Sequence, residues 1–162
     1  MATTSFDPRN PQILCHSGVP QIVPAILETA SKDFKAGEFV VYTSGKPTIV
    51  TASTKISGIA LVDSTNASPG TAMVPVQLIG PDDEVLIRVA SDTSGTLALA
   101  STLTAGNDYA VDITSNLCYV TSGDTSAGQF IFIAPVLDAA GSSTYWGRFK
   151  PAYNLGITAN VA

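Results

Sequence analysis

The sequence has few charged residues. Asp, Glu, Lys and Arg make up only 13% of the 162 residues, which is about half the usual share of a soluble domain. The eight Lys and Arg residues are dispersed, and the net charge is −5. A protein that binds nucleic acid needs a basic stripe to displace counterions from the phosphates. The composition therefore argues against nucleic acid as a partner.

Residue types that carry catalysis or bind metals are equally scarce. The only histidine, His16, lies beside Ser17 in a proline-rich stretch, which would hold a general base poorly. Cys15 and Cys118 are the only cysteines, so the four N/S ligands of a structural zinc site are lacking. No phosphate loop, dinucleotide fingerprint or HExxH motif occurs. We expect no enzymatic activity, no cofactor and no metal.

The single acidic run is Asp82-Asp83-Glu84. It follows Gly80-Pro81 and precedes an apolar stretch, which favours a solvated hairpin tip. Calcium binding by these carboxylates is the alternative.

Long hydrophobic runs are also absent. No stretch approaches the roughly 18 apolar residues of a membrane helix, which argues against a membrane partner. The first eleven residues lack a basic region followed by an apolar core, so they do not resemble a secretory signal. We therefore expect synthesis and folding in a cytosol, where thiols stay reduced.

What the sequence does have is a steady β pattern. Short runs rich in Val, Ile, Thr, Tyr and Phe alternate with turn-forming residues at 8–12-residue spacing. In Val85–Val89 the odd positions are apolar and Arg88 interrupts them, which is typical of a half-buried antiparallel strand. The pattern predicts an all-β fold, a compact antiparallel barrel or sandwich, with strands at 38–43, 47–52, 56–62, 72–79 and 84–90.

An extended N-terminal arm is predicted over residues 1–26. Prolines at positions 8, 11, 20 and 24 exclude a helix or a central strand there. Apolar side chains within the arm suggest that it docks on its own domain, a neighbouring subunit or a larger assembly, the alternative being a partly disordered terminus. The candidate contact residues in the arm are Phe6, Ile13, Leu14, Ile22 and Val23.

The region 103–133 loosely repeats the region 34–63. Phe39 and Tyr109 are 70 residues apart, as are Gly58 and Gly128, whereas the Ala-Gly pairs at 36–37 and 105–106 are 69 apart. This predicts two related β units, a first barrel at 27–90 and a second unit with an aromatic tail at 91–162. Chance similarity between two β-meanders is the alternative.

The tail contains the only tryptophan together with tyrosine, phenylalanine and arginine. Aromatic residues and arginine are enriched in interface hot spots, although they also serve to close the end of a barrel. The candidate contact residues in the tail are Tyr145, Trp146, Arg148, Phe149 and Tyr153.

One stretch resembles a known family. Phe34-Lys-Ala-Gly-Glu-Phe-Val-Val-Tyr42, then Ser44-Gly-Lys46, then Ile56-Ser-Gly-Ile-Ala-Leu-Val-Asp63 is similar to the β-barrel of tailed-bacteriophage capsid decoration proteins, also called cement or head-stabilising proteins. The similarity covers about residues 20–90, and a weaker similarity extends to residue 137. It is a pattern of strand and turn residues and carries no catalytic signature.

The resemblance implies a structural virion protein that binds the outer surface of a phage capsid and stabilises the head. It implies synthesis in the bacterial host cytoplasm, the major capsid protein as partner and self-association as a homotrimer. In such proteins an extended arm often grips the capsid. The alternatives are another phage structural component, such as a head fibre, minor capsid or tail accessory protein, and a carbohydrate-binding β-module with Tyr145, Trp146 and Tyr153 as its platform.

Overall fold

The structure, a computed structural model, describes residues 10–15, 19–27, 33–50, 56–64, 73–114, 117–125 and 128–152. Within these ranges the regular structure is β, apart from one 3-10 helix at Ala100–Thr102. The all-β prediction is therefore confirmed. The strands are β1 (Gln12–Cys15), β2 (Ile22–Leu27), β3 (Phe39–Thr43), β4 (Lys46–Ile49), β5 (Gly58–Ala60), β6 (Met73–Leu78), β7 (Glu84–Ala90), β8 (Asp108–Tyr109), β9 (Val111–Thr114), β10 (Leu117–Thr121), β11 (Phe130–Leu137) and β12 (Ser143–Pro151).

The strands form two sheets. The first is antiparallel, with the order β2-β6-β5-β3-β4. The second has the order β8-β11-β12-β7-β10-β9, and β1 pairs with β7 beside this path. β7, which falls within the predicted first unit at 27–90, thus belongs to the second sheet.

The second sheet curls into a nearly closed barrel. Only Ala110 separates β8 from β9, yet β8 pairs with β11 and β9 pairs with β10. This bent stretch therefore joins the two ends of the sheet. The barrel is mixed, because β10 runs parallel to β7, which departs from the predicted antiparallel architecture. A parallel pair needs a long crossover between its strands, and residues 91–116 provide one.

The two sheets repeat one topology. If β8 and β9 are counted as one bent strand, each sheet places its strands in the order first, fifth, fourth, second, third. Backbone hydrogen bonds match as well. Gly37 N donates to Ala60 O at 2.8 Å, and Gly106 N donates to Phe132 O at 2.9 Å. Each of the two similar regions of the sequence thus falls in one of two sheets that share this strand order.

The glycine turns show which residues of the two units correspond. Gly37 and Gly106 have φ angles of 87° and 88°, a conformation that glycine adopts without steric cost. They are 69 residues apart, so Tyr109 occupies the position of Val40. The alignment of Tyr109 with Phe39 is one residue out of register in this strand.

A continuous hydrophobic core joins the two sheets. Phe39 of the first sheet stacks on Phe130 of the second, with ring centroids 5.3 Å apart. Ile56 and Ile59 from the first unit lie in the same buried cluster as the interior residues of the second barrel, such as Phe132. A smaller cluster, including Val40, Val74 and Val76, fills the other face of the first sheet. The first sheet is therefore buried on both faces.

Asn10 connects the N-terminal arm to both sheets. Its side chain is fully buried; Nδ2 donates to Ala36 O at 3.5 Å, and Oδ1 accepts from Cys118 N at 3.2 Å. β1, which follows directly, pairs antiparallel with β7. Residues 10–15 of the arm therefore dock on the chain's own second barrel.

We predict that Asn10→Ala lowers the free energy of unfolding by roughly 1–3 kcal/mol, because Cys118 N and Ala36 O would each lose a partner in a buried environment. Denaturant unfolding measures the change. The matched control is Asn107→Ala, at an exposed turn position, which should shift stability by less than about 0.5 kcal/mol. Equal losses in both variants would contradict a bridging role for Asn10.

Candidate contact surfaces

The candidate residues of the arm divide between interior and surface. Ile13 is half-buried against the larger core, and Val23 is half-buried against the smaller one. Leu14 and Ile22 are 48% and 56% exposed, which leaves their side chains open to a partner. Phe6 lies outside the described residues.

The candidate residues of the tail also divide. Phe149 is fully buried, and its ring lies 5.3 Å from that of Phe132, so it offers no surface to a partner. The Arg88 guanidinium lies 5.8 Å from the Trp146 ring, a cation–π contact that covers one face of the indole. Tyr153 lies outside the described residues.

The last two candidates are exposed. Arg148 Nη2 and Glu84 Oε1 form an ion pair at 2.6 Å; such solvent-exposed pairs contribute at most about 1 kcal/mol. Tyr145 is 45% exposed at the end of the β11–β12 hairpin. Among the four tail candidates that the structure describes, Tyr145 therefore presents the most open apolar surface.

Two residues that the sequence did not single out lie at the same end of the barrel as Tyr145. Leu137 ends β11 and is 55% exposed, and Leu99 precedes the 3-10 helix and is 44% exposed. We call Leu99, Leu137 and Tyr145 the hairpin-end surface. The sequence analysis treated Leu99 as part of a connecting loop, since nothing in the pattern shows that this loop packs against the β11–β12 hairpin.

Hydrogen bonds hold the hairpin-end surface in place. Ser101 N donates to Ser143 Oγ at 3.0 Å, which ties the 3-10 helix to β12. Asp138 Oδ1 accepts from Ala140 N and Ser142 N, both at 2.9 Å, and so fixes the hairpin loop. Apolar side chains that are exposed together in one patch, unlike those exposed singly, are typical of a protein–protein contact site.

Three further large apolar side chains in the arm region are exposed. Leu14 belongs to β1, Ile22 begins β2, and Val19, which precedes β2, is 89% exposed.

A cleft lies near Arg88 and Tyr119, beside the exposed loop that contains Ser94 and Leu97. Its volume is about 230 Å³, below the roughly 300–1,000 Å³ of typical ligand pockets. The Tyr119 hydroxyl already donates to Thr93 O at 2.7 Å. The cleft is therefore a poor candidate for a small-molecule site.

The loop above this cleft is held by Asp92. Its Oδ1 accepts from Ser94 Oγ at 2.6 Å and from Thr96 N at 3.2 Å. Hydrogen bonds from Ser94 and Thr96 lower the pKa of Asp92 to about 2. The carboxylate of Asp92 thus stabilises the local turn.

The acidic run has a structural role. Asp83 Oδ2 accepts from Gly80 N at 2.7 Å and closes the turn, while Glu84 pairs with Arg148. In the part of the chain that the structure describes, no three Asp, Glu, His or Cys side chains are grouped to hold a metal ion. His16 and Ser17 fall outside it. No helix within the described ranges is long and apolar enough to cross a membrane.

Two buried titratable groups lie close to the seam between the sheets. Burial raises the pKa of Glu38 to about 7, although the Lys35 backbone amide and the Lys35 charge oppose the shift. Burial also raises the pKa of the Cys118 thiol. A buried thiol with a raised pKa is a poor nucleophile at neutral pH. Cys118 is therefore a residue of the buried core. No feature of the sequence pattern marked Glu38, because its burial depends on the packing of the second barrel.

Comparison with known proteins identifies no relative. No protein-family model matches the chain, and no curated protein matches it.

The raised pKa of Glu38 predicts a pH dependence of stability. The folded state holds the proton more tightly than the unfolded state, whose pKa is near 4.5. Stability therefore falls as pH rises from about 4.5 to about 7, by about 3 kcal/mol from this group. Glu38→Gln keeps an acceptor for Lys35 N and should remove that part of the slope.

Denaturant unfolding at pH 4.5 and pH 7.5 measures the effect of Glu38→Gln. The control is Asp92→Asn, which should keep the wild-type slope because the pKa of Asp92, lowered to about 2, lies below this pH window. If Glu38→Gln and the wild type lose the same stability across this pH window, Glu38 is not the group responsible.

Proposed function

We propose that this protein is a structural virion component that binds the outer surface of a phage capsid and stabilises the head. The observation that carries the proposal is the hairpin-end surface, with Leu99, Leu137 and Tyr145 exposed on a hydrogen-bonded barrel end. The resemblance of residues 34–63 to decoration proteins supplies the class of partner. The major capsid protein is the partner, and the action requires neither a catalytic group nor a cofactor.

The physical basis is burial of apolar surface on a repetitive partner. Each Å² of apolar surface removed from water contributes about 25 cal/mol, so three side chains support a contact of modest strength. Copies that associate with one another add their contacts by multivalency. Few charges need to be desolvated, because only 13% of the residues are charged. Such a protein braces neighbouring capsid subunits from the outside.

Self-association is the second part of the proposal. A trimer placed at a capsid symmetry axis would bring three hairpin-end surfaces to the capsid at once. The increase in effective concentration then raises the overall affinity without any new kind of contact.

We predict that Leu137→Asp weakens binding to decoration-free capsids by at least about tenfold, because a charge placed in an apolar contact is desolvated without a partner. Co-sedimentation of purified protein with capsids measures the affinity. The control is Lys150→Asp, at an exposed position of β12 at the opposite end of that strand from the hairpin. It should bind like the wild type.

A wild-type protein that never sediments with capsids would contradict the proposal. Labelling the protein on intact virions then identifies its true position. Label on the tail or on fibres would indicate another phage structural component. Equal binding by Leu137→Asp and the wild type would exclude the hairpin-end surface as the contact.

A further inference from the structure

The start of the N-terminal arm, the turn before β3 and the strand β10 meet at one point, which we call the arm junction. Asn10 bridges the turn and the strand, since its side chain bonds to Ala36 O and to Cys118 N. The Cys118 Sγ in turn accepts from Phe39 N at 3.4 Å. Glu38, which lies between Ala36 and Phe39 in the chain, is 1% exposed. Burial and the charge of Glu38 both raise the pKa of the Cys118 thiol, so the Glu38 carboxyl belongs to the arm junction.

The surroundings of the Glu38 carboxyl favour its neutral form. Lys35 N donates to Glu38 Oε2 at 3.0 Å, and the Lys35 ammonium acts on the carboxyl from the same turn. That ammonium also pairs with Asp63 Oδ2 at 3.4 Å. From β10, the titratable group that faces the carboxyl is the Cys118 thiol. Burial outweighs the two effects of Lys35 and raises the pKa of Glu38 to about 7.

The arm junction borders open space. A cleft of about 200 Å³ is lined by residues 11–13 of the arm, by residues 36–37 of the turn and by residues 59–61. The pairing of β1 with β7 covers only three positions, and its register is interrupted between Ile13 and Cys15. A segment that makes few buried contacts opens at a lower cost in free energy than the whole domain. The arm is therefore able to separate from the junction without unpacking the core.

We propose that Glu38 couples the docking of the N-terminal arm to pH. When the carboxyl loses its proton, the arm junction opens, and Asn10 and β1 separate from the turn and from the second barrel while both sheets stay folded. An ionised carboxylate is disfavoured in a buried site and regains hydration when the junction opens. Opening frees Ile13, which is half-buried against the larger core. The proposal concerns the chain alone, so it holds or fails independently of capsid binding.

The sign of the effect follows from the affinity for the proton. The closed junction binds the proton of Glu38 with a pKa of about 7, against 4.5 for a solvated glutamate. The closed state is therefore fully favoured below pH 4.5 and loses this advantage as the pH rises to about 7. Each pH unit within this window shifts the opening equilibrium about tenfold, so the opening constant rises by roughly two orders of magnitude in all.

The accessibility of the buried Cys118 thiol measures the opening. The full-length wild type and Glu38→Gln are treated with N-ethylmaleimide at pH 5 and pH 7.5, and peptide mass spectrometry separates labelling at Cys118 from labelling at Cys15. The ratio of the two rates at each pH cancels the reactivity of the thiol itself. We expect the ratio of wild type to Glu38→Gln to rise at least about thirtyfold from pH 5 to pH 7.5, because Gln keeps an acceptor for Lys35 N but does not ionise.

The matched control is Asp92→Asn. Hydrogen bonds from Ser94 and Thr96 lower the pKa of Asp92 to about 2, so this carboxylate is ionised at both pH values. We expect Asp92→Asn to keep the pH response of the wild type. A response in Asp92→Asn that matches Glu38→Gln would overturn the assignment to Glu38.

Urea separates opening of the arm junction from global unfolding. A local opening exposes little surface, so the labelling rate of Cys118 at pH 7.5 should stay nearly constant between 0 and 1 M urea. Its opening constant should exceed that of the slowest-exchanging amides of β11 and β12 at least about tenfold. Labelling that rises with urea as steeply as global unfolding would show that Glu38 acts on overall stability alone, and would overturn the proposal.

Asn10→Ala tests whether the arm takes part in the opening. The hydrogen bonds of Asn10 to Ala36 O and Cys118 N stabilise the closed junction only. We expect Asn10→Ala to raise the labelling rate of Cys118 at least about fivefold at both pH values, with the pH response of the wild type retained. Labelling of Asn10→Ala at the wild-type rate would overturn the proposal, as would the same pH response in Glu38→Gln and the wild type.

Discussion

The structure depends on the apolar contact between its two β units. Phe39 and Phe130 stack across the boundary, and the residues around them form one buried cluster to which both sheets contribute. The chain is therefore stabilised as one body even though its topology is that of two. Asn10 adds a polar link at the same boundary by bonding to Ala36 O and Cys118 N. Glu38, in the turn before β3, is also buried, and this burial raises its pKa.

The strand pattern was predictable to a large extent from the sequence. The predicted strand at 84–90 coincides with β7. The prediction at 38–43 begins one residue before β3, and the prediction at 72–79 extends one residue beyond β6 at each end. Short apolar runs between turn-forming residues define such strands, so the local sequence is enough to predict their positions. The paired glycine turns were also visible in the sequence, and Gly37 and Gly106 both adopt positive φ.

Long-range pairing was not predictable in the same way. The parallel pairing of β10 with β7 and the docking of β1 depend on which edges are left open after the sheets curl. The burial of Phe149, a predicted contact residue, was likewise not predictable from the sequence. In the sequence it belongs to an aromatic group typical of an interface, but alternation along β12 turns it into the core. Leu99 and Leu137 become a surface only because a loop and a hairpin end meet.

The proposed role follows from a body in which a five-stranded sheet packs against a nearly closed barrel, with apolar side chains exposed at one end of that barrel. Electron cryo-microscopy of decoration-free capsids incubated with the wild-type protein tests this account most directly. We predict density on the outer capsid surface at a symmetry axis, with the β11–β12 hairpin end of the second barrel against the major capsid protein. Absence of added density, or density with that barrel end facing solvent, would contradict it.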